Sequence, residues 1–393
     1  MNIALFCFGV GTIANVAGTE KVFVEMANAF TDRGHDVWAV WNDEPGIIPY
    51  YKFREAVHQV NLGLGKIKVP VTCKIQRELN KALHRQVVNK ADEYKTKQLV
   101  AALENKVDID RFDCIVCFEF NSVMAANAVS TGKIPVAAMV HNSVEDQIGK
   151  LTELQRQEAN KADVYQVLMP SFVKKAESLL KTKIVYIPNT VPQVKANDTA
   201  SLTDQKEIYT VIHIGRIEGH QKQQLVLVKA FSELAGKYPN WILKMYGPIG
   251  DSSYKQKIDR FISEKQLNDR VLYKGITKDP LKELKSADVL GFPSSYEGFG
   301  LVLAEAMSVG LPAVGFASAP AVGELIVHER TGLLASDEED FKNQLERLMK
   351  DRTLRVQLGT NAHEAMKQYA PDVVWGQWED LLNKLCERKK RNL

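Results

Sequence analysis

Two glutamates bracket a glycine-rich turn late in the chain, Glu297-Gly298-Phe299-Gly300-Leu301-Val302-Leu303-Ala304-Glu305. The apolar run Ala287 to Phe292 before it reads as a buried strand that stops at Pro293. Leu301 to Val309 after it reads as a helix that ends at Gly310-Leu311-Pro312. A strand that hands over to a helix places this turn at the carboxyl end of an α/β sheet, where ligands bind. Gly298 and Gly300 admit close approach of a ligand to the backbone, and the free N–H groups opening the helix suit a phosphate. Carboxylates beside that helix start would repel an anion. Glu297 and Glu305 make better sense as acceptors for neutral hydroxyls, one set on either side of a diphosphate. Arg216 and Lys222 follow Gly215, after another apolar run, Ile208 to Ile214. The planar fork of Arg216 and the point charge of Lys222 can together neutralise a diphosphate. His141 closes the run Pro135 to Val140 and so points into the space that an α/β sheet reserves for ligands.

The elements that must hold these residues fall into two similar halves. Asn2 to Phe8 reads as a strand, followed by Gly9-Val10-Gly11 and then a helix in which Val22, Phe23, Met26, Ala27 and Phe30 recur at helical spacing. Arg33-Gly34-His35 closes that helix before the strand Val37 to Trp41. Apolar runs at Cys114 to Phe118, Pro135 to Val140, Tyr165 to Met169 and Ile184 to Ile187 continue the first half. The polar stretch Pro192 to Lys206 reads as a linker. Strand, glycine and helix then begin again at Ile208, and Trp241 to Gly247, Val271 to Tyr273 and Ala313 to Phe316 add further strands. The first turn is not GxGxxG, so a dinucleotide fingerprint is unsupported.

The Glu-x7-Glu run from Glu297 to Glu305 resembles the signature of the retaining glycosyltransferases of family GT4, which have the GT-B fold. The resemblance implies an α/β chain of two Rossmann-like domains facing each other across a cleft. Residues 1–191 would form the N-terminal acceptor domain, 192–207 a linker and 208–371 the donor domain, with the helix 372–393 packing back on the first. The implied reaction is retaining transfer of a hexosyl unit from a nucleotide-diphospho-sugar, with a UDP-sugar as the expected donor. The acceptor would be a glycan or lipid-linked molecule of cell-surface polysaccharide biosynthesis. By the resemblance, Arg216 and Lys222 stabilise the departing diphosphate, Glu297 orients the sugar and Glu305 holds the ribose. The family pattern is G-R-x-x-x-x-K, and here Lys222 stands one residue later. Gly11, Gly215, Gly247, Gly298, Phe299, Gly300 and Leu301 would line the donor, and Ile276 would neighbour the base. His141 would lie near the anomeric carbon, and Glu119 and Asn121 are candidates for acceptor binding. No cofactor or metal is expected. Two other readings share the fold: a UDP-sugar epimerase, and a catalytically silent partner subunit of a glycosylation complex.

Composition narrows the class further. The 393 residues allow two cores, and 45% hydrophobic with 25% charged residues describes an ordinary soluble protein. A net charge of +3 gives no reason to expect a nucleic-acid partner. Cys7, Cys73, Cys114, Cys117 and Cys386 show no disulfide framework, which favours the cytoplasm. Cys114 and Cys117 have CxxC spacing, but on a strand they face opposite sides and read as core. Asp108-Ile109-Asp110 precedes a strand on its entry side and reads as a capped loop. No secretory signal or membrane span is evident. Residues 66–97 are the most basic stretch, with Lys66, Lys68, Lys74, Arg77, Lys81, Arg85, Lys90, Lys95 and Lys97 against Glu78, Asp92 and Glu93. From Cys73 on, Ile75, Leu79, Leu83 and Val87 predict an amphipathic helix there. Such a helix suits peripheral contact with an anionic membrane, on the inner face of the cell membrane, or a phosphate-bearing acceptor.

Overall fold

The protein is described by a computed structural model, which places residues 1–9, 11–73, 75, 76 and 90–392. The chain divides into two compact units, Met1–Pro188 with Val374–Leu393, and Asn189–Val373.

The first unit is built on a seven-stranded parallel sheet. Its strands are β1 (Asn2–Cys7), β2 (Asp36–Trp41), β3 (His58–Asn61), β4 (Cys114–Cys117), β5 (Val136–Met139), β6 (Val164–Val167) and β7 (Lys183–Tyr186). Their order in the sheet is β3-β2-β1-β4-β5-β6-β7. Helices on both faces bury the central strands, which is why β1, β4 and β5 read as unbroken apolar runs rather than alternating ones. The helix Gly18–Asp32 turns Val22, Phe23, Met26, Ala27 and Phe30 into the core, the residues whose spacing predicts it. Each such buried side chain larger than Ala is worth roughly 1.5–3 kcal/mol. Cys114 and Cys117 are fully buried, and all five cysteines are free.

The final helix, Pro371–Asn392, joins this unit from Val374 on. Trp378 is buried at 1% exposure, and Trp375 meets Phe30 edge-on with ring centres 5.9 Å apart. Glu379 fixes the helix by accepting from Arg33 Nε and His35 Nε2, each at 2.8 Å. Lys389 Nζ donates to the Gly132 carbonyl at 3.0 Å.

The second unit carries a six-stranded parallel sheet. Its strands are β8 (Tyr209–Ile214), β9 (Trp241–Tyr246), β10 (Val271–Tyr273), β11 (Val289–Phe292), β12 (Ala313–Phe316) and β13 (Leu333–Ala335), in the order β10-β9-β8-β11-β12-β13. The stretch 192–207, expected as a linker, is packed on this unit. The Ala200 N–H donates to the Val309 carbonyl at 2.8 Å, Leu202 is buried, and Lys206 Nζ pairs with Asp288 at 2.8 Å. Its polar residues answer backbone and carboxylate groups of the fold.

Among the described residues no helix is long and apolar enough to cross a membrane. Lys74 and most of the expected amphipathic helix, including Arg77, Leu79, Lys81, Leu83, Arg85 and Val87, lie outside the described residues. Lys90–Lys106 is helical.

Candidate functional site

Sheet order singles out one crevice in each unit. In the second, the chain runs outward from β8 in both directions, so the turns after β8 and β11 diverge and leave a topological switch point between them. Gly215 to Lys222 leaves β8 there, and Pro293 to Gly300 leaves β11. The two turns are zipped together. The Ser295 N–H donates to the Gln221 carbonyl at 2.8 Å and Ser295 Oγ to the His220 carbonyl at 3.0 Å. The expected separate roles of Lys222 and Glu297 are joined: Lys222 Nζ donates to Glu297 Oε1 at 2.6 Å, with the two side chains 18% and 8% exposed. Gln221 Nε2 reaches the other oxygen of the same carboxylate at 3.3 Å and the Tyr296 carbonyl at 3.1 Å. Glu297 is thus gripped on both oxygens.

The turn after β8 is shaped by a carboxylate. Glu218 accepts from the backbone N–H groups of His220, Gln221 and Lys222, the last at 2.9 Å. Gln223 adopts a left-handed conformation, φ 50°, to start the following helix, Gln224–Leu234. Buried Gln224 accepts from the Glu218 N–H at 3.2 Å and donates to the Arg216 carbonyl at 2.8 Å and to His213 Nε2 at 3.1 Å. His213 Nδ1 in turn donates to the Gly291 carbonyl at 2.9 Å, so its tautomer follows from the network. Burial, with Lys222 nearby, lowers the His213 pKa to about 4 and keeps the ring neutral.

Gly247 shows why only glycine serves beside this turn. Its φ is +137°, and a Cβ there would lie 2.0 Å from the Gly215 carbonyl oxygen. The close approach lets the Gly215 N–H donate to the Tyr246 carbonyl at 2.9 Å and the Gly247 N–H to the Gly275 carbonyl at 2.8 Å. The ends of β8, β9 and β10 are thereby locked together. Arg216 is exposed and lies against Gly250, where a Cβ would meet its Cγ and Cδ at 2.7 Å. Ile276, after β10, is 49% exposed.

Gly300 takes φ +85° to open the helix Leu301–Ser308, whose first N–H groups receive no side-chain cap. That leaves donors of the kind that bind a phosphate, with the positive end of the helix behind them. Phe299 is buried against Tyr369, and Leu301 is half-buried. Glu305 lies inside the helix at 4% exposure and Glu297 before it at 6%. Buried carboxylates are costly unless hydrogen-bonded, and Lys222 with Gln221 meets that need for Glu297.

In the first unit the corresponding switch point lies between β1 and β4. Gly11 follows β1 and faces Glu20: a Cβ on Gly11 would lie 3.3 Å from Glu20 Oε1. Glu119 follows β4, and its pKa is raised to about 7, first by burial and then by Glu20. Asn121 is engaged structurally, its Nδ2 donating to the Phe8 carbonyl at 3.2 Å. His141 follows β5. Its ring stacks on Phe118 with centres 5.0 Å apart, and its backbone N–H donates to Gln147 Oε1 at 2.7 Å. Burial lowers its pKa to about 3, and its enclosed Nε2 has no hydrogen-bond partner among the described residues. It is therefore a neutral imidazole rather than a cation.

Sequence reasoning missed Glu218, Gln221 and Gln224. The displaced lysine offered the available hint: with Lys222 one residue late, Gln221 occupies the position where the resembled pattern has its cation. The structure brings both residues to the same carboxylate.

The family model described as "Glycosyl transferases group 1" matches residues 194–365. An exopolysaccharide phosphotransferase of Streptomyces coelicolor is 31% identical over 218 residues, 54% of this chain and 22% of that protein. An uncharacterized glycosyltransferase of Haemophilus influenzae is 25% identical over 382 residues, 95% of this chain and 99% of its own length. The chain thus spans about a fifth of the first relative and nearly all of the second. Among solved structures, a TarM variant from S. aureus, in complex with fondaparinux, alpha-GlcNAc-glycerol and UDP, superposes with a TM-score of 0.75. That likeness covers 98% of this chain and 100% of TarM at 16% identity, and so speaks for the fold alone. Residues 194–365, which include the Glu297-to-Glu305 turn, thus match the group 1 glycosyl transferases, and the two Rossmann-like units have the GT-B fold.

Proposed function

We propose that this chain is a retaining glycosyltransferase that moves a hexosyl unit from a UDP-sugar to a glycan or lipid-linked acceptor in cell-surface polysaccharide biosynthesis. The observation that carries the reading is the switch-point crevice of the second unit. It gathers an uncapped helix start, the exposed guanidinium of Arg216, and the Lys222–Glu297–Gln221 cluster within one pair of turns. In this reading the diphosphate takes the helix N–H groups together with Arg216 and Lys222, which stabilise negative charge as it develops on the leaving group. Glu297, gripped on both oxygens, accepts from sugar hydroxyls, and Glu305 accepts from the ribose. In the first unit, His141 supplies a neutral imidazole on the sugar side of the reaction.

Support for the nucleotide comes from TarM, whose structure contains UDP, and for the pathway from the exopolysaccharide enzyme of S. coelicolor. The enzyme is cytoplasmic in this reading and needs no metal, so a chelator leaves turnover unchanged. Residues 66–97 make peripheral contact with an anionic membrane, a role that the exposed Val71 and Ile75 suit.

Calorimetric titration with UDP-, GDP- and ADP-sugars, on wild type and Glu305→Ala, tests the donor site. Tight binding of one UDP-sugar, weakened at least tenfold in the variant, is expected. Absence of binding by every nucleotide would move the chain to the silent-subunit reading, and turnover of the UDP-sugar without acceptor to an isomerised product would make it an epimerase.

A further inference from the structure

Cys114 and Cys117 share a strand but not a surface. Cys114 opens β4 and Cys117 ends it, so the alternation of the strand turns them to opposite faces of the sheet. Phe6 is the residue of β1 that stands beside Cys117, and Cys7, the next residue, faces the other way. Cys114 is met instead from outside the sheet. Trp378, Leu382 and Leu385 form the buried stripe of the final helix, and Cys386 continues it. Cys386 Sγ donates to the Asp113 carbonyl at 3.3 Å. That oxygen is one peptide unit from the Cα of Cys114, so bond lengths alone hold the Cys386 sulfur within about 6 Å of that Cα. The two thiols complete the contact with a hydrogen bond of their own, Cys114 donating and Cys386 accepting.

The two sulfurs are chemically unlike. The bond from Cys114, with the charges of Lys390 and the amino terminus behind it, holds the Cys386 thiol below its ordinary value, against burial and Asp113. The same bond, together with burial, pushes the Cys114 thiol well up. Cys386 also keeps 9% exposure against 0% for Cys114, so a small oxidant meets Cys386 first. These differences make Cys386 the attacking thiol and Cys114 the resolving one. We propose that hydrogen peroxide joins Cys114 and Cys386 in a reversible disulfide that staples the final helix to β4. The Cys386 sulfur attacks one peroxide oxygen, the O–O bond breaks, and the thiol proton leaves with the departing hydroxide as water. The Cys114 sulfur then attacks the sulfenic sulfur of Cys386, the S–O bond breaks, and the Cys114 proton leaves with that hydroxide as a second water. The thiol pair gives up two electrons in all, and one peroxide is reduced to two waters. The helix is already held on either side of Cys386: Glu379 accepts from Arg33 and His35, and Lys389 binds the Gly132 carbonyl and Asp163. The bond closes a loop from residue 114 to residue 386, which restricts the unfolded chain and so favours the docked helix. This inference is independent of the glycosyl-transfer reading.

Peptide mapping of the full chain tests it. The native protein is treated with hydrogen peroxide, its remaining thiols are capped with N-ethylmaleimide in urea, and the digest is analysed by mass spectrometry without reductant. A peptide pair joining Cys114 to Cys386 is expected, two hydrogens lighter than its reduced parts and released by dithiothreitol. In Cys386→Ser the pair should vanish and Cys114 should remain a thiol at the same peroxide dose. The urea midpoint of the wild type, followed by tryptophan fluorescence, should rise on oxidation and return on reduction, with no such shift in Cys386→Ser. Both cysteines capped as thiols, at a dose that oxidises free glutathione in the same tube, would overturn the assignment. So would oxidation of Cys386 that runs on to sulfinic acid, or pairing of either residue with Cys7, Cys73 or Cys117. A disulfide that leaves the midpoint unchanged would overturn the staple. The wild-type map decides the pairing even if the serine variant does not fold.

Discussion

Replacing Glu119 by Gln should stabilise the first unit in alkaline solution and hardly change it in acid. The carboxyl pKa is raised from 4.5 to about 7, by burial and then by Glu20. Between those two values the folded chain binds more protons than the unfolded one, so stability falls as pH rises through that window and levels off above it. At about 1.4 kcal/mol per pH unit, the ionised carboxylate costs the folded state about 3 kcal/mol at pH 8 and less than about 1 kcal/mol at pH 5. The side chain keeps partial exposure, and solvent screening brings the expected gain in Glu119→Gln to about 2 kcal/mol at pH 8. Glutamine keeps the shape and carries no charge, so packing contributes little to the difference. Urea titration followed by tryptophan fluorescence suits the measurement, because Trp38, Trp41, Trp375 and Trp378 all belong to the first unit and Trp241 alone to the second. A variant that gains as much at pH 5 as at pH 8, or a wild type that is the more stable at pH 8, would refute the reasoning.

Gly247→Ala should destabilise the second unit by about 3 kcal/mol or more, since it combines a disfavoured φ with a Cβ 2.0 Å from the Gly215 carbonyl oxygen. The fluorescence of Trp241, on β9, would register it, and an unchanged urea midpoint would contradict the close approach. Glu218→Ala removes the carboxylate that gathers the N–H groups of His220, Gln221 and Lys222. Affinity for the nucleotide sugar should fall on the order of tenfold while thermal stability moves little, because Glu218 organises an accessible turn rather than the core. Calorimetry beside a thermal melt checks both halves, and equal losses in the two would reduce Glu218 to a structural role.

Much of this protein is legible in one dimension because buried parallel strands must be apolar throughout. The runs at Ile3–Phe6, Cys114–Cys117 and Val289–Phe292 declare themselves for that reason. Helix spacing places Val22, Phe23, Met26 and Phe30, and the glycine-rich turn between Glu297 and Glu305 stands out by residue type alone. The half-exposed edge strand β3, His-Gln-Val-Asn, carries no such pattern and stayed hidden. The polar stretch 192–207 reads as a linker, and composition cannot show which of its polar groups find partners on the second unit. Strand order was invisible for a deeper reason: parallel neighbours are set by long-range pairing, as when Val289 of β11 pairs with Val211 of β8. Only that order makes the turns after β8 and β11 adjacent, joins Lys222 to Glu297 and brings Gln221 to the same carboxylate. It likewise sets Glu119, after β4, beside Gly9 and Glu20, after β1. The sequence by itself determined which side chains are available for chemistry; the tertiary structure decided which of them meet, because contacts across a sheet depend on pairing between distant segments.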